Sequence, residues 1–193
     1  QLSLAGALDL LSLLRASGAE KINFAGGEPS IHPRLGEMLS HSRQIGFVTS
    51  LVTNGARLAR LLDRQATDLD WVGLSVDSGS EAVEVALGRS RGAHVATSIT
   101  LADRARAAGV RVKLNTVVTA LNWHEDMSDL VRRLRPERWK VFQALPMDGQ
   151  NDGSIEDLLI DRGQLSAFVE RHQALAHEGF PPIVEDNDAM RGS

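Results

Sequence analysis

The residues of this chain best suited to chemistry gather where stretches of strand character end. After Ala25 comes Gly26-Gly27-Glu28-Pro29. Two glycines let backbone pass close to a ligand with its amides and carbonyls exposed, an acid follows, and a proline sets the exit. Such a turn suits the amino-acid moiety of a ligand. The other strand ends are also polar: Thr53-Asn54-Gly55, Ser75 with Asp77, Asn115, and Gln143. Leu87-Gly88-Arg89 adds a guanidinium, whose planar fork matches a carboxylate through two parallel hydrogen bonds.

A second signal comes from lysine. Of the 21 basic residues only Lys21, Lys113 and Lys140 are lysines; the others are arginines. Successive side chains of a strand point to opposite faces, and one face must meet the apolar helices. In Lys21–Ala25 the helix-facing pair is Ile22 and Phe24, which leaves Lys21, Asn23 and Ala25 on the inner face. Val112 and Leu114 leave Arg111, Lys113 and Asn115 inward; Trp139 and Val141 leave Arg138, Lys140 and Phe142 inward. All three lysines therefore share one expected face. Unpaired cations inside a barrel cost several kcal/mol unless an anion or water compensates. A bound polyphosphate does so, and Asn23 and Asn115 can fix a sugar or a base through paired donor and acceptor groups. The competing reading is strand-start lysines that reach solvent at the amino-terminal rim.

Alternating helices and strands must position these groups. Helical character covers Leu4–Ala16, about Pro33–Ser42, the stretch from Gly55 to about Ala66, Glu81–Leu87, Val95–Ala108, around Glu125–Leu134, and roughly Arg162–His177. Strand character covers Lys21–Ala25, Phe47–Thr53, Trp71–Val76, Arg111–Val118, Arg138–Leu145 and, at the end, Phe180–Val184. Met147–Ser154 reads as a loop. Five β/α repeats in strict alternation indicate a parallel sheet covered by helices, an open or closed β/α barrel of the α/β class, with functional groups at the carboxyl ends of the strands. No linker or low-complexity run divides residues 1–193, which read as a single, incomplete domain with both ends cut.

The totals exclude several classes. A net charge of −4 gives no global attraction to nucleic acid or a membrane surface. No apolar run reaches the roughly eighteen residues of a membrane span, and the apolar start lacks the basic leader of a signal peptide, so the cytoplasm is the expected location. There is no cysteine, so disulfides and thiolate metal sites are ruled out within the chain. The six histidines show no metal-binding spacing, and no metal ligand or catalytic acid–base pair emerges.

The order strand, GGEP, helix, then a strand ending in TNG and a strand with SxD resembles the radical S-adenosylmethionine (SAM) enzymes. The blocks KINFAGGEP, LSVDS, ALGR, VKLNTVV, NWHEDM, RPERWKVFQAL and FVERH more specifically resemble the viperin branch over nearly the whole chain. The resemblance implies a partial (β/α)6 TIM-like barrel, here without its first strand and C-terminal tail. It implies SAM and a [4Fe-4S] cluster as cofactors, an electron donor, and dehydration of a nucleoside triphosphate (CTP, GTP or UTP) to its 3′-deoxy-3′,4′-didehydro form in antiviral defence. Carried over by residue, Gly26, Gly27, Glu28 and Pro29 would cradle SAM with Asn54, Ser75 and Arg89, the last two at its carboxylate. Lys21, Asn23, Lys113, Asn115, Arg138 and Lys140 would line the nucleotide pocket.

The departure from the family lies in the cluster. Its CxxxCxxC motif stands upstream of the first helix in the family, and this chain contains no cysteine, so the chain alone is expected to be inactive. The alternatives are a radical SAM enzyme with a different substrate, or a nucleotide-binding domain without a cluster.

Overall fold

A computed structural model describes residues 2–145 and 155–185. The loop expected at Met147–Ser154 lies outside the described residues. The elements follow the expected alternation: α1 (Leu4–Ala16), β1 (Lys21–Phe24), α2 (Leu35–Gln44), β2 (Val48–Thr53), α3 (Leu58–Gln65), β3 (Trp71–Ser75), α4 (Glu81–Ala86), α5 (His94–Ala107), β4 (Arg111–Val118), α6 (Ser128–Leu134), β5 (Arg138–Gln143), α7 (Arg162–His172) and β6 (Pro182–Val184). The described strand pairs are all parallel, as helical crossovers require.

The chain forms two compact units, residues 1–75 with 100–112, and residues 76–99 with 113–193. In the first, β1, β2 and β3 are neighbours in that order, with Ile22 opposite Thr49 and Leu51 opposite Val72. Leu35, Leu39, Phe47, Leu51, Leu58 and Leu74 form its dry interior. Ser3 starts α1 by accepting the Gly6 amide on its hydroxyl, satisfying one of the free donors of the first turn. On the other sheet face the Arg111 guanidinium stacks 3.7 Å above the Trp71 ring, so this inward cation is compensated by an aromatic face.

In the second unit β4, β5 and β6 are neighbours, with Lys113 opposite Arg138 and Asn115 opposite Lys140. Alternation is clear here. Leu114, Thr116, Val118, Trp139 and Val141 are buried, while Lys113, Asn115 and Lys140 on the opposite face keep partial exposure. The Trp139 indole N–H donates to Thr116 Oγ1 at 3.0 Å. The ring meets Phe168 and His172 edge-on, with centroids at 6.1 and 5.1 Å, and this fastens α7 over the sheet.

At three of the element ends that moved, the structure supplies the reason. The helix expected around Glu125 begins at Ser128, because Asn122 and Glu125 are taken up by side-chain bonds that close the preceding loop. The strand expected to reach Leu145 stops at Gln143, whose amide donates to the Ile160 carbonyl at 2.7 Å. The last helix is α-helical only to His172 and continues as a 3-10 helix over Gln173–Glu178. Its start is set by a reciprocal capping box between Asp161 and Gln164.

His172 is fully buried. Its Nε2 accepts the Met127 amide at 2.8 Å and its Nδ1 donates to the Phe168 carbonyl at 2.7 Å, which requires the neutral ring. Burial accordingly pushes its pKa down. The unfolded chain takes up this proton first, so stability is full above the ordinary histidine value of about 6.5 and falls as the pH drops toward the folded-state pKa. We expect His172→Leu to lower the unfolding free energy of the whole protein by about 2 kcal/mol at neutral pH. The same variant should flatten its decline between neutral and mildly acidic pH, as read by urea denaturation across that range.

Candidate functional site

The turn after β1 is built for close backbone approach. Gly26 and Gly27 have φ of 94° and 53°, and a Cβ placed on either meets nothing within 4 Å. The glycines answer to a left-handed backbone and leave an open cradle in front of it. Glu28 then turns back on the fold. Its Oε1 accepts the Ser30 amide at 2.8 Å and the Thr53 hydroxyl at 2.6 Å, and its Oε2 accepts the Asn54 amide at 2.7 Å. Burial raises the pKa of this carboxyl, but the hydrogen bonds from Ser30, Thr53 and Asn54 outweigh it and hold the group below the usual carboxylate range. One carboxylate thus locks the GGEP turn to the TNG turn at the end of β2. Asn54 spends its own Oδ1 on the Ala56 amide at 3.0 Å.

A cleft of about 440 Å³ beside this turn is lined by Phe24, Gly26, Glu28, Pro29, Leu35 and Met38, among others. It lies toward the helix-facing side chain of β1, and Asn54, Ser75 and Arg89 do not line it. Ser75 closes β3 in the same unit and is partly buried.

The second unit holds a buried carboxylate network at the start of its chain. Asp77 accepts the Val117 amide on Oδ1 at 2.8 Å and pairs with Arg89 Nε through Oδ2 at 2.6 Å. The Nη atoms of Arg89 make no hydrogen bond among the described residues. Glu84, fully buried on α4, accepts the Asp77 and Ser78 amides on Oε1, each at 2.7 Å. Its Oε2 has no hydrogen-bond partner among the described residues and lies 3.6 Å from His94 Nε2. Burial, with Asp77 adding to it, pushes the Glu84 carboxyl up despite the opposing pull of those amides and His94. Asn122 completes the network, donating to the Asp77 and Val117 carbonyls at 2.6 and 2.9 Å.

The expected nucleotide residues fall into two sets. Lys21 and Asn23 are exposed on one face of β1. Lys113, Asn115, Arg138 and Lys140 share one face of the β4–β5 pair. Asn115 Oδ1 is buried without a hydrogen-bond partner among the described residues. One expectation needs correcting: Lys140 is not an unpaired cation, because Glu185, just beyond β6, meets its Nζ at 2.6 Å. Glu185 sits in the polar tail, and only the pairing of β6 with β5 brings it near; linear spacing carries no trace of that.

Sequence reasoning passed over Asp77 as a structural anchor and Glu84 altogether, and gave Asn122, inside the NWHEDM block, no role. A glutamate inside a short helix reads as a solvated face, so nothing in the sequence flags Glu84. Among the described residues no group of three or more histidines and carboxylates is arranged to hold a metal ion.

The cradle glycines, the carboxylate-locked turn and the parallel β/α elements define a protein of the radical SAM type. The Radical SAM superfamily model matches residues 2–134, and the chain belongs to that superfamily. It is 37% identical over 187 residues to an S-adenosylmethionine-dependent nucleotide dehydratase of Thermoplasmatales archaeon (strain ISO4-H5), covering 96% of this chain and 66% of that protein. It is 39% identical over 169 residues to a protein of the same name from Flammeovirga pacifica, covering 86% of this chain and 58% of that one. The chain spans about 60% of the length of these curated relatives. Among solved structures, SuiB of Streptococcus suis bound to S-adenosylmethionine matches with a TM-score of 0.72 at 17% identity, over 93% of this chain and 43% of that one. A second, native anSMEcpe with bound AdoMet, matches with a TM-score of 0.66 at 14% identity, over 95% and 55%. These likenesses show the fold, the partial barrel expected from the sequence.

Glu28→Gln replaces an acceptor oxygen by an amide that faces backbone donors. It should lower the stability of the whole protein by about 1–3 kcal/mol, as for hydrogen bonds to a charged group. The exposed control Glu37→Gln should change it by less than about 0.5 kcal/mol. Because the Glu28 pKa is depressed on folding, its contribution is full above the ordinary carboxylate range and is lost as the pH falls through the folded value. The variant should therefore show a shallower acid limb in urea denaturation.

Proposed function

We propose that the protein is a radical SAM nucleotide dehydratase that converts a nucleoside triphosphate, CTP or its GTP and UTP counterparts, to the 3′-deoxy-3′,4′-didehydro form in antiviral defence. The observation that carries this reading is the β4–β5 face. A buried Asn115 Oδ1, unpartnered among the described residues, lies there with Lys113 two positions back on the same strand and Lys140 directly opposite in register. A buried acceptor without a donor costs free energy unless a ligand supplies one, and a ribose hydroxyl or a base amine does. The flanking ammonium groups suit the phosphates. The identity to two proteins named nucleotide dehydratase supports the same reading.

In this reading Gly26, Gly27 and Pro29 shape the SAM cradle, while Glu28 holds its walls together. Asn54, Ser75 and Arg89 complete it, the last two at the carboxylate. Asp77 takes Nε of Arg89 and so orients the remaining nitrogens of the fork. Lys21, Asn23, Lys113, Asn115, Arg138 and Lys140 hold the nucleotide. Glu185 is the resident counter-ion that the phosphates replace at Lys140. SAM held there would supply the radical for hydrogen abstraction. The residues named here bind, orient and exclude water.

The open backbone of the glycine turn fits SAM. The residues of this chain do not fit the cluster, since none of them is a cysteine. The working location is the cytoplasm; among the described residues no helix is long and apolar enough to cross a membrane.

The test uses the whole protein, reconstituted with its cluster and supplied with SAM, a reductant and each triphosphate in turn. The expected products are 5′-deoxyadenosine and a nucleotide lighter by one water. SAM cleavage with no modified nucleotide would overturn the assignment. Lys113→Ala with Lys140→Ala should weaken triphosphate binding by about tenfold or more, the loss of at least one charge-assisted contact; unchanged affinity would remove these lysines from the site.

A further inference from the structure

Most arginines in the first unit have a partner of opposite charge or an aromatic face. Arg43 pairs with Asp70, Arg104 with Asp63, and Arg111 with Trp71. Arg57, Arg60 and Arg64 do not. They recur at intervals of three and four residues, which places them on one face of α3 and its preceding residue, along about 10 Å of helix. All three are exposed, and their side chains make no ion pair or hydrogen bond among the described residues.

The three guanidinium groups line one wall of a groove of about 400 Å³. The other wall is the first turn of α2 with the 3-10 turn Pro29–Ile31, and it carries Ile31, which is 54% exposed, with His32 and Pro33. The acid on that wall, Glu37, is already paired with Arg34. The groove is therefore cationic along one side and apolar along the other, in a chain whose net charge is −4. A local field opposed to the overall sign orients an acidic partner rather than attracting anions everywhere.

We propose that this groove is the docking surface for an acidic partner protein. That partner presents an extended segment with carboxylates against Arg57, Arg60 and Arg64 and an apolar side chain against Ile31. The layout favours a polypeptide over a small phosphate anion. The guanidinium groups are strung along the helix rather than converging on one buried point, and Ile31 and Pro33 offer contact area that an inorganic anion does not use. Ile31, His32, Pro33 and Leu35 also line the cleft beside the glycine turn, whereas Arg57, Arg60 and Arg64 line the groove alone, so the arginine wall carries the proposal whatever the substrate is.

The experiment measures binding of a labelled Glu-rich peptide carrying a few leucines to the whole protein by fluorescence anisotropy. Arg57→Gln, Arg60→Gln and Arg64→Gln combined should weaken binding about tenfold, the sum of three exposed charge contacts. They should also flatten the salt dependence. Ile31→Asp, which leaves the arginines in place, should weaken it as well. The control is Arg91→Gln with Arg133→Gln, two other arginines without an acidic partner among the described residues; it should leave the affinity within twofold. Absence of peptide binding, or equal losses in the control, would overturn the proposal. So would tripolyphosphate binding more tightly than the peptide with the same arginine dependence, which means a small-anion site. Binding of phosphatidylserine vesicles in place of the peptide would make the groove a membrane surface and overturn it equally.

Discussion

The glycine turn of the first unit depends on one half-buried carboxylate being held in its charged form. Glu28 joins two turns that the chain separates by a helix and a strand, and it does so with three backbone or hydroxyl donors aimed at its two oxygens. The glycines before it gain from this. Left-handed residues with open space around them have no packing to hold them in place, and the anchored acid immediately after them limits where that backbone can go. Such a turn therefore divides into two jobs: glycine makes room, and glutamate prevents the room from collapsing or drifting.

The second unit solves a similar problem with a chain of acids. Glu84 fixes the amides of Asp77 and Ser78, Asp77 fixes Arg89 and the Val117 amide, and Asn122 ties the same loop to β4. Buried charge of this density is costly unless each group is bonded, and among the described residues the buried Glu84 Oε2 lacks a hydrogen bond. Its raised pKa follows from burial, to which the neighbouring Asp77 charge adds, since a protonated acid removes a charge that burial disfavours.

The fold was legible because its signals are periodic and local. Alternation in RVKLNTVV and RWKVFQ separated the buried face from the open one residue by residue, and burial follows it without exception from Val112 to Val141 in those strands. The site was legible only in part. GGEP and TNG announce a cradle, yet the sequence does not say that Glu28 faces inward to Thr53 and Asn54. Lys140 announced an anion, and the structure supplies one from the chain itself in Glu185. Glu84 carried no signal and Asn122, inside the NWHEDM block, no assigned role, because their importance comes from loops that meet only after the strands pair. Contacts between neighbours in sequence show in composition and spacing; contacts made by tertiary closure do not.

The division of the chain also bears on the order in which it is made. The first unit is not a continuous stretch, since residues 100–112 complete what residues 1–75 begin. Leu101 packs where a Cβ on Gly55 would stand, Arg104 holds Asp63, and Arg111 gives both its amide to Asp70 and its guanidinium to Trp71. During synthesis from the N-terminus these clasps emerge last, after the intervening Val76–Ile99 segment has already left the ribosome. The nascent chain must hold β1, β2 and β3 together without their closing partners for that interval, and exposed strand edges at this stage are where misassembly begins. The burden falls on the early, short-range locks, of which Glu28 is complete as soon as Asn54 has emerged.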